Sequence, residues 1–170
     1  MKRFLFKLIL WILILLILVS SVFIGLGYLK YKDAINNLSV VDAVNQIRSK
    51  ENYVKLKDIS ADYKNAVVAV EDHRFYFHKG IDIISMLRAT YVNVRSSSLT
   101  YGASTITQQV GRLLYFTQEK SPIRKTAEIF VAFDLEKNYS KDEILELYLN
   151  IIYFGNGYTG IKDASYGYFK

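Results

Sequence analysis

Residues 71–80 concentrate side chains that could carry out acid–base chemistry. They include two adjacent carboxylates (Glu71 and Asp72), two imidazoles (His73 and His78), two fixed cations and three aromatic rings, and a glycine ends the stretch. Because each buried charge has a desolvation cost, such crowding is typical of sites with shifted pKa values. Glu71 ends an apolar helical pattern, where partial burial would raise its pKa and suit a general base. The alternative is a helix end whose charges are solvated while its rings cover the core.

A metal site at the two histidines is a less favoured interpretation. His73 and His78 are five residues apart, whereas ligands on one helix face are three or four apart. The chain has no cysteine, which excludes thiolate metal sites and disulfides.

Residues 102–109 form a second cluster, with three hydroxyls and two amides at a predicted helix start and Arg112 soon after. Exposed backbone N–H groups at such a start suit a phosphate, and the side chains suit sugar hydroxyls. The alternative is an ordinary capped helix with a polar face.

Two further clusters follow. Lys120, Arg124, Lys125 and Glu128 could present a row of cations to a diphosphate, although Arg124 and Glu128 are also spaced for a surface ion pair. Residues 141–150 have the apolar spacing of a core helix. The net charge of +6 is too small to indicate a nucleic acid, so none is expected. The local excess of cations fits a phosphate-bearing or anionic-lipid partner.

The elements that position these clusters begin with a membrane anchor. Residues 8–29 are uncharged and mostly aliphatic, and as a helix they would span roughly 33 Å, enough to cross a bilayer core. Lys2, Arg3 and Lys7 precede this run, which predicts a cytoplasmic N-terminus and an extracytoplasmic body in a single-pass protein of the plasma membrane. The length argues against the alternative, a buried core helix. The predicted division is a basic tail at 1–7, the anchor at 8–29, a polar stalk at 30–51 and one domain at 52–170.

The domain is predicted to be mainly α, because its apolar residues recur at helical spacing and no strand alternation appears. A mobile loop is expected at 96–102. Helix starts are expected at Asp58 or Ser60, Asp82, Ser104 or Thr105, Ser121, and Ser140 with Glu143 as a capping box, before a last helix at 161–169.

In order, these clusters resemble the motifs of the peptidoglycan glycosyltransferases. These are the glycosyltransferase family 51 domains of class A penicillin-binding proteins and monofunctional transglycosylases. The family pattern E-D-x-x-F-x-x-H-x-G falls on Glu71, Asp72, Phe75, His78 and Gly80. The patterns G-A-S-T-I-x-Q-Q, R-K-x-x-E and K-x-x-I-L-E-x-Y-L-N fall on 102–109, 124–128 and 141–150. The resemblance covers about residues 52–170.

The resemblance implies a lysozyme-like helical domain that polymerises lipid II into glycan strands during cell wall synthesis. Glu71 would be the general base that takes the proton from the acceptor sugar's 4-hydroxyl. The anomeric configuration would invert and polyprenyl diphosphate would leave. The implied partners are lipid II, the growing glycan strand, the bacterial plasma membrane and other cell wall synthases.

The resemblance also assigns roles to further residues. Glu128 would be a second catalytic glutamate on the diphosphate side, with a divalent metal (Mg or Mn) as a candidate cofactor there and no other cofactor expected. The substrate- and diphosphate-binding residues would be Ser104, Thr105, Gln108, Gln109, Arg112, Lys120, Arg124 and Lys125. Supporting motif residues would be Asp72, Phe75, His78, Gly80, Gly102 and Asn150.

The sequence departs from the family pattern in two places. The family usually has Leu-x-Lys-Asn after Gln109, where this chain has Val110, Gly111, Arg112 and Leu113. The family also continues beyond the position of Lys170, so a C-terminally truncated domain is expected. One alternative is therefore a catalytically inactive, membrane-anchored interaction protein. Another is a lysozyme-like enzyme that cleaves glycans, but hydrolases commonly use a second carboxylate and need no row of cations.

Overall fold

The computed structural model describes residues 2–97 and 102–170, and these fold almost entirely as helices, as the sequence predicts. Over the described residues there is no β-strand, only an isolated bridge between Tyr153 and Thr159. Short 3₁₀ turns occupy Leu56–Asp58 and Phe75–Phe77. The α-helices are α1 (Lys2–Asn37), α2 (Val40–Arg48), α3 (Ala61–Glu71), α4 (Ile83–Ser96), α5 (Ile106–Tyr115), α6 (Pro122–Asn138), α7 (Lys141–Ile151) and α8 (Ile161–Phe169).

The helix starts follow local capping chemistry. Of the paired candidates, Ser60 caps α3 and Thr105 caps α5. A capping side chain accepts a hydrogen bond from a backbone N–H that has no partner within the helix. Ser140 and Glu143 form the predicted capping box of α7. Asp82 and Ser121 cap α4 and α6, as the sequence predicts.

Helices α5, α6 and α7 supply most of the hydrophobic core. In α7 every residue from 144 to 151 is buried, so this helix lies at the centre and is covered on all sides. Ile106 and Val110 of α5 and Val131 and Leu135 of α6 pack around it, all fully buried. Each such aliphatic side chain contributes about 1.5–3 kcal/mol through burial. The core interpretation of 141–150 is confirmed.

The segment predicted to be a polar stalk differs in the structure. Helix α1 continues without a break past residue 29 to Asn37, and α2 follows within 40–48. Tyr31, Val40, Ala43 and Val44 are buried. The apolar residues of α2 recur at spacings of three and four, so a helix that is polar overall still has one face for the core. The domain therefore begins well before residue 52.

Helix α4 is largely exposed. Among its residues only Ala89 is buried, whereas the apolar residues Leu87, Tyr91 and Val94, which recur at helical spacing, are exposed. It ends at Ser96, and the next residue, Ser97, caps it with a left-handed backbone (φ 50°). The loop predicted over 96–102 lies mainly outside the described residues, since 98–101 are not among them.

Candidate active site

Glu71 is the last residue of α3 and its carboxylate is exposed. The expected partial burial is wrong, because α3 has no buried residue, and its half-buried Val67 and Val68 pack against the core. The amide Nε2 of Gln109 donates to Glu71 Oε2 over 3.0 Å. Gln109 lies on α5, so the acid is oriented by a second element.

Behind Gln109 lies Tyr148 of α7. Its hydroxyl donates to Gln109 Oε1 over 3.4 Å, and its ring is almost fully buried. Burial, followed by the negative charge of Glu71, raises the pKa of Tyr148. The phenol therefore stays protonated and able to donate at neutral pH. Tyr148, Gln109 and Glu71 form a series of hydrogen bonds from the core to the candidate base.

Asp72 has a different environment from its neighbour. It is buried, it accepts from the Ile106 N–H over 3.0 Å, and its Oδ2 lies 2.9 Å from His78 Nε2. It thus joins the end of α3 to the start of α5. The next residue, His73, is exposed. The described residues contain no group of three His, Asp or Glu side chains suited to a metal.

The rest of the 71–80 stretch supports the fold. Phe75 is fully buried, and its ring meets that of His78 edge to face. Gly80 has a left-handed backbone (φ 88°), which favours glycine. Its carbonyl accepts from the Thr105 hydroxyl over 2.6 Å. This hydrogen bond fixes the stretch against the cap of α5.

A cavity of about 230 Å³ opens beside Glu71. One wall is the inner side of α4, which contributes Ser85 and Arg88, and the facing residues include Gly102 and Ser104. Asp82 at the start of α4 pairs with Arg74 at 3.1 Å. That ion pair connects the α4 wall to the chain just after Glu71.

The polar cluster at the start of α5 divides into two kinds of residue. Thr105 and Gln108 are buried and bond to each other as a capping box, since the Thr105 N–H donates to Gln108 Oε1 over 3.1 Å. The ordinary capped-helix interpretation thus explains the hydrogen bonds between Thr105 and Gln108. Ser104 and Gln109 are half-buried and lie beside the cavity or against Glu71. These two are placed to contact a ligand.

The cations of α6 meet this cluster at Ser104. Lys125 Nζ lies 2.6 Å from Ser104 Oγ and 3.1 Å from Glu128 Oε2. Arg124 bonds to the other carboxylate oxygen of Glu128, which is only 2% exposed. Glu128 is thus held by two cations, and the predicted ion pair between residues 124 and 128 is buried rather than on the surface.

Burial lowers the pKa of Lys125, and Glu128 opposes this effect while the charges of Arg112 and Arg124 add to it. Two cations therefore hold the Glu128 carboxylate, and the charge of Arg112 acts on one of them, Lys125. The buried Nε atoms of Arg112 and Arg124 have no hydrogen-bond partner in the described part of the chain. An excess of positive charge with free donors fits a dianion such as a diphosphate. Lys120 is exposed in the α5–α6 connection and forms no ion pair among the described residues.

Comparison with known proteins shows the family. Residues 38–170 match the family model described as Transglycosylase. The chain belongs to the transglycosylase family. A Cupriavidus necator protein whose name assigns it to the transglycosylases is 42% identical over 162 residues, which cover 94% of this chain and 70% of that protein. The family resemblance drawn from the motifs is confirmed, and the match begins at the start of α2 rather than at residue 52.

The transglycosylase domain also resembles part of larger proteins. Penicillin-binding protein 1F of Bacillus subtilis is 45% identical over 117 residues, which are 69% of this chain and 16% of that protein. Penicillin-binding protein 1A of Neisseria gonorrhoeae is 44% identical over 121 residues, 71% of this chain and 15% of that protein. The chain is thus a glycosyltransferase domain of cell wall synthesis that spans a small share of the penicillin-binding proteins it matches.

Some functional contacts of the transglycosylase domain were not foreseen from sequence. Periodicity assigns Tyr148 to the core, and its hydroxyl is the signal that indicates a further role, since a buried phenol needs a hydrogen-bond partner. Arg88 lines the cavity from α4. Helical periodicity identifies only apolar residues that face the core, so it does not indicate this role. Asn150 holds the segment between α2 and α3 by hydrogen bonds to both the N–H and the carbonyl of Val54, each 2.8 Å. Its motif position therefore has a structural explanation.

Proposed function

We propose that this transglycosylase domain joins the disaccharide units of lipid II into glycan strands and releases polyprenyl diphosphate. One observation carries the proposal: Glu71 and Ser104 line the same cavity, and Ser104 is bonded to the Lys125 ammonium. The Glu71 carboxylate therefore lines the cavity, and the Lys125 ammonium adjoins it through Ser104. This is the pairing that a displacement at an anomeric carbon needs when its leaving group is a diphosphate.

Glu71 is the proposed general base. Its carboxylate takes the proton of the acceptor 4-hydroxyl as that oxygen forms a bond to the donor's anomeric carbon. Gln109 holds one carboxylate oxygen, which leaves the other available to the acceptor. The attack comes from the face opposite the leaving group, so the anomeric configuration inverts.

The cations stabilise the leaving group. As the bond from the anomeric carbon to the diphosphate oxygen breaks, its electron pair remains on that oxygen and negative charge builds there. Lys125 and Arg124 are already fixed by Glu128 and need little rearrangement to meet this charge, and the charge of Arg112 adds to theirs. Glu128 keeps the cations in place before the substrate arrives.

A metal held by the protein does not fit these residues. Glu128 is the carboxylate among the cations, and its oxygens are bonded to Arg124 and Lys125. Over the described residues no cluster of three oxygen or nitrogen ligands is present. The proposed reaction therefore places the diphosphate charge on the cations alone, and no step depends on Mg or Mn.

The membrane supplies the substrate in this proposal. Helix α1 is long and apolar enough to cross a bilayer, and the basic residues at its start favour a cytoplasmic N-terminus with the domain outside. An anchor in the same bilayer as a lipid-linked sugar raises the effective concentration of that sugar. Lipid II and the growing strand are thus the proposed partners, together with other cell wall synthases.

Incubation of the purified chain with labelled lipid II tests the proposal against its rivals. Polymer in the product supports transfer. Release of clipped sugars from added glycan, without polymer, would favour a lysozyme-like hydrolase. An absence of both products would favour an interaction protein and contradict the proposal.

A further inference from the structure

Helix α1 meets α6 at a glycine that has no room for a side chain. A Cβ at Gly27 would lie 2.5 Å from Thr126 Cβ, 2.7 Å from Thr126 Cγ2 and 3.2 Å from the Ala127 nitrogen. Two residues earlier, a Cβ at Gly25 would have no neighbour within 4 Å. The two helices are therefore in backbone contact at Gly27, and any larger residue must push them apart.

The order of the contacts shows that the two helices run in the same direction. Gly27 lies against Thr126. Further along, the rings of Tyr28 and Tyr31 lie 5.3 and 5.6 Å from that of Phe130, and the Tyr31 hydroxyl donates to Asp134. The start of α6 therefore lies beside the last turns of the apolar run that ends at residue 29.

This placement fixes the level of the cations in the membrane frame. Lys125 directly precedes Thr126, and Glu128 follows it by two residues in the same helix. Because α1 is unbroken from Lys2 to Asn37, the membrane span and the contact at Gly27 belong to one rigid helix, here called the rod. A flexible stalk would allow the domain to move towards or away from the bilayer, whereas this rod does not.

We propose that Gly27 is a positioning residue that locks Lys125 and Glu128 at the depth of the lipid diphosphate. The inference rests on the proposed function, because depth matters only for a substrate whose hydrocarbon chain stays in the bilayer. Its diphosphate cannot leave the membrane surface, and a displacement of a few ångströms weakens the charge interactions. A substrate with a short, water-soluble chain does not impose this restriction.

Two leucine variants on the same helix form a matched pair for the test. Gly27→Leu pushes α1 from α6, while Gly25→Leu adds the same side chain where space is open. The chain has no cysteine, so Gln118→Cys, exposed just before α6, takes a single fluorophore. Quenching by nitroxide lipids in proteoliposomes then reports the depth of this label.

We expect Gly27→Leu to change the quenching and to lower polymerisation of bilayer-embedded lipid II by roughly tenfold or more. Polymerisation of a short-chain analogue in solution should stay within about twofold of wild type. Gly25→Leu should leave both readouts at the wild-type value. Unchanged quenching together with unchanged polymerisation in Gly27→Leu would overturn the proposal.

A smaller substitution with a compensating partner distinguishes a change of depth from simple misfolding. Gly27→Ala adds one methyl group, and Thr126→Gly in the same chain removes the side chain that it meets, so the double variant should recover both depth and bilayer activity. Equal losses with both substrates, not recovered in the double variant, would mean that Gly27 only stabilises the fold. The quenching readout needs no catalysis, so it separates failure of this inference from a wild-type chain that makes no polymer.

Discussion

At the scale of single residues, the account depends on how Glu71 is oriented. An exposed carboxylate at a helix end has many rotamers, and the bond from Gln109 selects among them. The sequence indicates Glu71 as the acid through its motif, but it does not indicate Tyr148, because periodicity assigns every apolar or aromatic residue of α7 to the core. A hydroxyl at the end of a buried ring becomes informative only when the fold shows what it reaches.

Tyr148→Phe should lower the polymerisation rate while the protein stays folded. The change removes the donor to Gln109 Oε1, so the amide that holds Glu71 can rotate. Loss of one such hydrogen bond is worth about 1 kcal/mol, which corresponds to a roughly fivefold lower kcat. Tyr76→Phe, which removes an exposed hydroxyl bonded to Asp142, is the control and should keep the wild-type rate. Equal rates for the two variants would contradict the role of Tyr148.

Lys125 should give the enzyme a basic limit in its pH profile. Burial lowers the pKa of Lys125, so the ammonium loses its charge at a lower pH than an ordinary lysine, whose pKa is about 10.4. Since the diphosphate needs that charge, kcat/KM should fall as the pH rises through the lowered pKa. In Lys125→Arg the charge persists, and the fall should move to higher pH. An unchanged profile in this variant would exclude Lys125 as the titrating cation.

At the scale of helices, the sequence predicts starts better than contacts. The capping residues of α4, α5, α6 and α7 follow from local hydrogen bonding, and all are found where expected. The polar stalk predicted at 30–51 is wrong for α2 and the end of α1, because Tyr31 and Val44 reach the core only when these helices pack on distant ones. Such contacts depend on the tertiary fold, which a local pattern does not contain.

Asp82 should make the cavity wall sensitive to acid. Burial alone would raise the pKa of Asp82, but hydrogen bonds from Ser85 and the Ile84 N–H, with the charge of Arg74, together lower it. Its contribution to stability is therefore present above the unfolded pKa of about 3.9 and is lost as the pH falls through the lowered folded value.

Asp82→Asn tests this contribution at neutral pH. The variant loses the ion pair with Arg74 and part of the cap of α4, so its free energy of unfolding should fall by about 1–2 kcal/mol in urea titrations. Asp62→Asn, exposed in the first turn of α3, should change it by less than about 0.5 kcal/mol. The difference between Asp82→Asn and wild type should shrink towards pH 3, and a constant difference would contradict the assignment.

At the scale of the whole molecule, the fold brings together side chains that are far apart in the sequence. Glu71 and Lys125 are 54 positions apart in the chain, and the region around the start of α5 links them: Gln109 bonds to Glu71, and Ser104, just before the cap, bonds to Lys125. The motifs predict the members of this site. They do not predict that Thr105 and Gln108 bond within the fold, or that α1 is rigidly joined to α6.

The most direct test of the central claim is the rate of polymerisation by Glu71→Gln compared with wild type in the same proteoliposomes. The amide keeps the shape of the side chain but cannot accept the acceptor's proton, so the rate should fall by about 10²–10⁴-fold. Binding of labelled lipid II should stay near the wild-type value, because the cations around Glu128 are untouched. Polymer formed by Glu71→Gln at close to the wild-type rate would contradict the account.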